Sequence, residues 1–591
     1  MALTTEQIAE QKQHAEELLF AGPQKLGFAK GLFFGQFNAS LLFPYPEIKP
    51  EEKAVVEKSL QEVRRFCDDH IDAPEIDREA EIPQSVIDGL GRIGVLGMCA
   101  PKKYGGYEFS QLAYCKIMEI IGGHCAATGI FVNAHHSIGI RALVLFGTEE
   151  QKSRYLPKLV TGEELAAFAL TEPEAGSDAA NVQTSAVPSP DGKYYILNGT
   201  KRYITNGAIA RVLTVMARTP VPGSSETKVT AFLVTPDMPG FEVLEARMPK
   251  CGIRGTATAR LAFKNMPVPV ANVLGQLGKG LKIALTVLDF GRTTFGACCT
   301  GTAKVCLKAA VKHAKTRKQF KQTLSEFELV KKKIAFMAAY GFAMDAVTSQ
   351  CAAFIDRGAE DYMLETAMLK LFTTEALWIV VNDTLQIYGG QGYFSNEPYE
   401  RMVRDARINQ IGEGANDVLR CFIALVGMRD VGESLKEMAD NKLKKSGTIL
   451  KFLGSQVSKR LHLTAPEIPV QSSTLQDEAR SLGKRIRDFG VAVVDVLGKY
   501  REAILERQYV QERIAEMACD LYASSCTLSR LDHLLSQGNH QPAEVRRDII
   551  AGKYFLQLAD RRIRQHLAAL TDNDDEQTTP TADAVLDSFK I

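Results

Sequence analysis

The chain has no CxxC pair and no Cys/His cluster at zinc-ligand spacing, although it carries 12 cysteines. Thiols scattered in this way, the adjacent Cys298 and Cys299 included, read as buried free cysteines of a reducing compartment rather than as metal ligands or disulfide partners. Long apolar runs are also missing. Nothing approaches the ~20 uninterrupted apolar residues that span a bilayer. The opening stretch, MALTTEQIAEQKQ, lacks a basic region followed by an apolar one, and its acidic residues and want of arginine argue against a transit peptide. The expected location is therefore the cytoplasm, unless the sequence is that of an already processed form. Charge of one sign is in short supply as well. With 71 basic and 70 acidic residues the net charge is +1, so no global field recruits nucleic acid. Finally, no GxGxxG follows a strand-like run, which removes the Rossmann route to a dinucleotide.

What is present is an ordinary globular composition, 45% apolar and 24% charged, over 591 residues, too many for one core. After an N-terminal extension (1–49), helical period marks 50–162, where Val55, Leu60, Val63 and Phe66 recur at three- to four-residue steps. Between 163 and 275 the pattern changes to short β-branched and aromatic runs such as KYYILNG and KVTAFLVTP, separated by turn residues. This predicts a β domain, antiparallel because the links are too short for crossover helices. Long helical patterns return over 276–430 as a bundle, and 431–591 reads as a helical appendix whose TDNDDEQTTPTADAV suggests a loosely held tail. The expected fold is thus mainly α with a central β domain.

Several short motifs stand on this frame. AAFALTEPEAGSDAANVQTSA ends a strand at Pro173, Gly176 and Ser177, which by itself describes a β-turn. LNGTKRYITNG places Tyr203 and Thr205 on one side of a strand. In INQIGEGANDVLR, Glu413 stands between glycines with no cation beside it in sequence; in isolation it reads as a loop glutamate before a helix. His135 and His136 in NAHHSIG lack a third ligand and read as packing residues.

Taken in order with MPKCGIRGTATARLAFKNMPVP, LDFGR, TRKQF and QIYGGQGY, these pieces resemble the acyl-CoA dehydrogenase family over about residues 50–427. The long extension is similar to that of its very-long-chain members and of family member nine, which also serves respiratory complex I assembly. The resemblance implies an FAD enzyme that converts long-chain acyl-CoA to trans-2-enoyl-CoA and passes electrons to electron transfer flavoprotein. Other roles in keeping with it are an assembly scaffold and a flavin oxidase. Phe168, Ala169, Leu170, Thr171 and Ser177 would cradle FAD, with Ser177 also near the acyl-CoA. Tyr203, where the family usually has Trp, would cover the flavin beside Ile204 and Thr205. Arg317, Phe320, Gln386, Gly389 and Gly390 would reach the ADP portion from a neighbouring subunit of a homodimer. Ala415, Asn416 and Asp417 would complete the cofactor contacts.

The resemblance makes Glu413 the base, matching an aromatic-Glu-Gly-Thr motif in which this chain has Gly412 and Ala415 at the aromatic and threonine positions. Its backbone N–H would donate to the thioester carbonyl, and Gly414 would flank the substrate. Some members carry their base just before the arginine of LDFGR; that position is Gly291 here. Asp289 and Arg292 match acyl-CoA contacts, with a helix-surface ion pair as the rival reading. In the appendix, the basic amphipathic stretch 442–461 suits either peripheral membrane contact or packing on the protein itself.

Overall fold

The computed structural model describes residues 26–440, 464–537 and 542–589, so the 442–461 stretch lies outside the described residues. The chain divides into two compact units, one of Pro46–Ala359 with Thr373–Ala415, the other of residues 26–45, Glu360–Phe372 and Asn416 onward.

In the first unit, helix Pro50–His70 opens with proline and two glutamates in its first turn, where the missing N–H is no loss and negative charge meets the helix dipole. Val56, Val63, Phe66 and Cys67 form its buried stripe, whereas Val55 is half exposed, one position off the periodic set expected from the sequence. The stripe joins Leu112, Ile117, Met118 and Ile121 of helix Gln111–His124 in one apolar core. The continuous helical stretch Ala126–Phe146 is apolar enough on average to resemble a membrane span, but 67% of its most apolar window is buried inside the protein. Its middle, Asn133–Ile140, is wound as a π-helix.

The sheet that follows has the order β6 (Phe241–Glu245), β7 (Thr258–Pro269), β3 (Tyr194–Thr205), β2 (Ser185–Pro188), β4 (Val212–Pro220), β5 (Thr227–Val234) and β8 (Val273–Leu274), with β1 (Ala166–Ala169) paired to β4. Most ladders are antiparallel, but β1 runs parallel to β4, and β2 meets β4 parallel at Ser185 and Arg218. A parallel neighbour needs a long connection; here strands β2 and β3 supply that length in place of a helix. β3 and β7 lose register between Lys201 and Ile204, a bulge at which Tyr203 takes a left-handed φ of 61°. The unit continues through helices Gly280–Thr316 and Glu328–Asp356.

The second unit is helical. Helices Asn416–Asp440, Gln476–Tyr500 and Gln508–Ser536 pack around the short helix Phe28–Phe33, whose Phe33 ring lies 5.1 Å from that of Phe489, and helix Ala543–Ala569 packs on Gln508–Ser536 and Gln476–Tyr500. The acidic tail is not loose: Asp575–Ser588 is a helix without buried side chains, started by Asp575 and Glu576 in its first turn and tied back by Arg513 to Asp575 at 2.5 Å.

Buried charge in this unit leads to a prediction. Glu365 is 1% exposed and accepts from the backbone N–H of Ala29 at 2.8 Å, while Lys30 pairs with Asp361 at 2.6 Å. Burial, with Asp361 beside it, pushes the Glu365 carboxyl from 4.5 up to about 7. Because the folded value lies above the unfolded one, this group's stabilising contribution is complete below about 4.5 and is lost as pH rises through about 7. Glu365→Gln is expected to gain on the order of 3 kcal/mol at pH 8 and nothing at pH 4. Chemical denaturation at both pH values checks this, and parallel pH dependences in the two proteins would contradict it.

Candidate functional site

Glu413 follows the short 3-10 turn Ile408–Gln410, which ends helix Tyr399–Arg407. The chain turns there through two left-handed residues, Glu413 itself at φ 54° and Gly414 at φ 96°. The glycine takes that conformation freely, but a glutamate does so only when its surroundings hold it, a kind of local strain that gathers at functional sites.

Three features of the first unit converge on Glu413. Helix Gly280–Thr316 presents Gly291: a Cβ added there would come within 3.0 Å of Cδ and Oε1 of Glu413, and closer still to Oε2. The missing side chain is the room the carboxylate occupies. Arg292, next along the helix, sends Nε toward the Glu413 carbonyl oxygen at 3.5 Å and Nη1 to Asp289 at 3.2 Å. Asp289 and Arg292 are each 6% exposed, so the pair is a buried element of this site and not a helix-surface ion pair. The third feature was not read from the sequence: Asn133 Nδ2 donates to Glu413 Oε1 at 2.7 Å. Glu413 has no cation beside it in sequence, yet in space its carboxylate has a donor.

The two histidines of NAHHSIG fix the π-helix that carries Asn133. His135 Nδ1 accepts from the Ala166 N–H of β1 at 2.9 Å, and its Nε2 lies 3.0 Å from the Leu159 carbonyl. His136 Nε2 accepts from Cys99 N–H at 3.0 Å. Burial lowers His135 to about 4 and holds His136 well below the usual imidazole value, so both rings are neutral anchors.

β1, the turn after it and the β3 bulge carry half of the expected cofactor residues. Phe168 and Ala169 are buried, Leu170 and Thr171 half-buried, and Ser177 exposed. Lys201, wholly buried on β3, donates to the Leu170 carbonyl at 3.0 Å and to Glu172 Oε1 at 2.6 Å. Glu172 also accepts from the N–H of Gln183 on Oε2 and from the N–H of Thr184, which is shared between its two oxygens. The Arg202 N–H donates to the Thr171 carbonyl at 2.9 Å, which sets the turn against the β3 bulge. There Tyr203 is 55% exposed with the Arg202 guanidinium 4.6 Å from its ring centre, Ile204 is buried, and Thr205 is half-buried. Asn206 closes the strand and donates to the Phe131 carbonyl at 3.2 Å, linking the bulge to the helical stretch that bears Asn133.

A second group stands at the C-terminal ends of helices Gly280–Thr316 and Met363–Tyr388. His313 stacks on Tyr388 at 4.0 Å and joins these two ends, while Arg317, Gln386, Gly389 and Gly390 are all exposed. Phe320 is 87% exposed, and no atom lies within 4 Å of a Cβ added at either glycine. Ala415 is half-buried. In the second unit, Asn416 is buried and accepts from Lys370 at 2.8 Å, while the Asp417 side chain is exposed and 3.4 Å from Arg420.

A carboxylate on a strained turn, fixed by an amide and bounded by a glycine, beside a β domain with an open aromatic bulge, agrees with what family comparison finds. Models described as acyl-CoA dehydrogenase N-terminal, middle and C-terminal domains match residues 54–163, 167–266 and 278–427, and the chain belongs to the acyl-CoA dehydrogenase family. Residues 473–588 match the ACAD9/ACADV C-terminal domain. The chain is similar to the human mitochondrial very long-chain specific acyl-CoA dehydrogenase, with 37% identity over 93% of this chain and 85% of the relative. It is 34% identical to the probable acyl-CoA dehydrogenase FadE10 of Mycobacterium tuberculosis, over 99% of this chain and 92% of the relative. Among solved structures, an acyl-CoA dehydrogenase complexed with FAD from Bacillus anthracis superposes with a TM-score of 0.78 at 27% identity, covering 93% of this chain and 94% of that one.

Proposed function

We propose that this protein removes the α and β hydrogens of long-chain acyl-CoA to give the trans-2-enoyl thioester, with FAD as cofactor and electron transfer flavoprotein as the electron acceptor. The observation that carries this reading is Glu413, held on a strained turn with its carboxylate against Gly291.

The residues at hand suit the cofactor. The exposed Tyr203 ring offers an aromatic face to a flat cofactor, and the cation of Arg317 and the open backbone of Gly389 and Gly390 are suited to a pyrophosphate. When bound, FAD supplies the acceptor for the β-hydride. The chain supplies the rest. Glu413 takes the α-proton on its carboxylate, and its backbone N–H is available to a thioester carbonyl whose charge grows as the proton leaves. A long acyl chain that displaces water from this carboxylate strengthens it as a base. Anaerobic addition of palmitoyl-CoA tests the proposal: the flavin should bleach and enoyl-CoA should form. Failure to bleach would favour a scaffold role, and stoichiometric peroxide in air would favour an oxidase.

Gly412 adds a prediction on substrate range. A Cβ there meets only the Ile408 carbonyl, at 3.6 Å, so a side chain fits the backbone. Gly412→Phe is expected to cut kcat/KM for bulky or branched acyl groups about 10-fold relative to straight chains; an unchanged substrate series would refute it.

We further propose a homodimer. Phe320, Leu329, Tyr393 and Phe394 are 87%, 76%, 74% and 66% exposed, large apolar side chains that a second subunit would cover. A fully flavinated monomer in sedimentation would exclude the dimer-dependent cofactor site. Peripheral membrane contact through 442–461 is tested by liposome flotation, where a protein that stays in the soluble fraction excludes it.

A further inference from the structure

Asn133 is 2% exposed and opens the π-helix Asn133–Ile140. An α-helix widened to π geometry turns its side chains away from their regular positions, and such turns concentrate at functional sites. This one is secured on several sides. His135 bonds to β1, His136 to the Cys99 backbone, and Ser137 to Thr294 of helix Gly280–Thr316 at 2.8 Å and to the Tyr114 hydroxyl at 3.1 Å. The amide at its start is therefore delivered to Glu413 by a rigid support.

Only the NH2 end of that amide can face an ionised carboxylate, since the carbonyl end has no proton to give. The other end, Oδ1, is buried and makes no hydrogen bond among the described residues. Asn133 Oδ1 aside, the amide's contact is with the carboxylate.

We infer that Asn133 is a positioning residue for the general base: its amide fixes the rotamer of Glu413 and favours the ionised carboxylate in the enzyme before substrate arrives. The inference rests on Glu413 being the base. A donor to a carboxylate lowers its proton affinity, so Asn133 keeps Glu413 ready at moderately acid pH. The same bond makes Glu413 a slightly weaker base.

Several charged and titratable groups lie on the elements packed around Glu413. On helix Gly280–Thr316, Arg292 points its Nε at the Glu413 carbonyl rather than the carboxylate and is shared with Asp289. Cys298 on that helix is buried with its thiol pushed up, and so is neutral. On the π-helix, His135 and His136 are held neutral by burial. On Glu413's own segment, Asp405 accepts from the Ile253 N–H, and Arg407 lies over Trp378 and reaches Gln410.

The test is the pH dependence of kcat/KM for palmitoyl-CoA, which reports the free enzyme, measured on flavin-loaded wild type, Asn133→Ala, Asn133→Asp, Asn133→Ser and Glu413→Gln. The acid limb of the alanine variant is expected to move up by about one pH unit, because one donor to the carboxylate is lost. Asn133→Asp should move it further, since two carboxylates then share a proton, and Asn133→Ser, which restores a donor, should fall between alanine and wild type. A merely structural role would lower the rate at every pH and leave the midpoint where it was. An acid limb that stays in place in both Asn133→Ala and Asn133→Asp, with Glu413→Gln inactive, overturns this inference and spares the base assignment. An active Glu413→Gln overturns both. Should the alanine variant not fold, the serine and aspartate variants decide the matter by the same midpoint.

Discussion

Glu413→Gln will lower turnover of palmitoyl-CoA about 10²- to 10⁴-fold, the usual contribution of a positioned general base, while the protein stays folded and yellow. Glutamine matches glutamate in size and retains an oxygen to accept the Asn133 amide, so geometry at the turn survives. What it cannot do is accept a proton. The companion change, Gly291→Ala, leaves the base in place but takes its space. An alanine Cβ within 3.0 Å of both Cδ and Oε1 is closer than carbon and oxygen settle, and helix backbone cannot retreat as a flexible side chain would. The carboxylate has to swing away from a turn already held at φ 54°. A displacement of about 1 Å from the reacting geometry costs about 100-fold in rate. Stopped-flow reduction of the flavin by acyl-CoA measures both effects on one scale, with flavin content and thermal unfolding as controls. Full-speed reduction in Glu413→Gln would remove the base from this residue. Full-speed reduction in Gly291→Ala alone would mean that the working carboxylate does not sit against the helix.

The order of helical, β and helical segments was legible in the sequence because apolar residues recur with period 3.6 in one and 2 in the other, a local property. Strand pairing is not local. Nothing in AAFA tells that its neighbour is VLTV some forty-five residues on, or that the two run parallel, since that choice is made by the intervening β2 and β3. Glu413 was recognisable because several motifs occur in register, and the spacing of Asp289 and Arg292 offered a pair without saying whether it was wet or dry. Burial decides that, and burial comes from helices far away in the chain. Asn133 shows the same limit more sharply. It lies 280 residues from the carboxylate it serves, and in sequence it is one polar residue beside two histidines that draw the eye first. The π winding that aims it has no clear signature in a stretch as apolar as GIFVNAHHSIGI.

Lys201→Met is expected to destabilise the first unit by about 3–5 kcal/mol, the range for removing one partner of a buried ion pair, and to release the flavin. Lys201 is fully buried at the root of the turn that carries Thr171 and Ser177, and Glu172, its partner at 2.6 Å, is 4% exposed. Burial lowers the lysine to about 8, still above neutrality, and Glu172 is held below its ordinary value despite its own burial, so the pair is ionised near pH 7. Methionine keeps the length of the side chain and loses the charge. Glu172 then stays buried with only the N–H groups of Gln183 and Thr184, and the Leu170 carbonyl loses its donor. Both losses fall on the same turn, so the effect on flavin content should exceed what destabilisation alone would give. Changing Glu172 as well does not restore the protein fully, because two backbone N–H groups are then orphaned in place of one carboxylate. Calorimetry with the flavin-to-protein absorbance ratio measures both quantities. A Lys201→Met protein with wild-type stability and a full complement of flavin would show that the turn holds its shape without the ion pair beneath it.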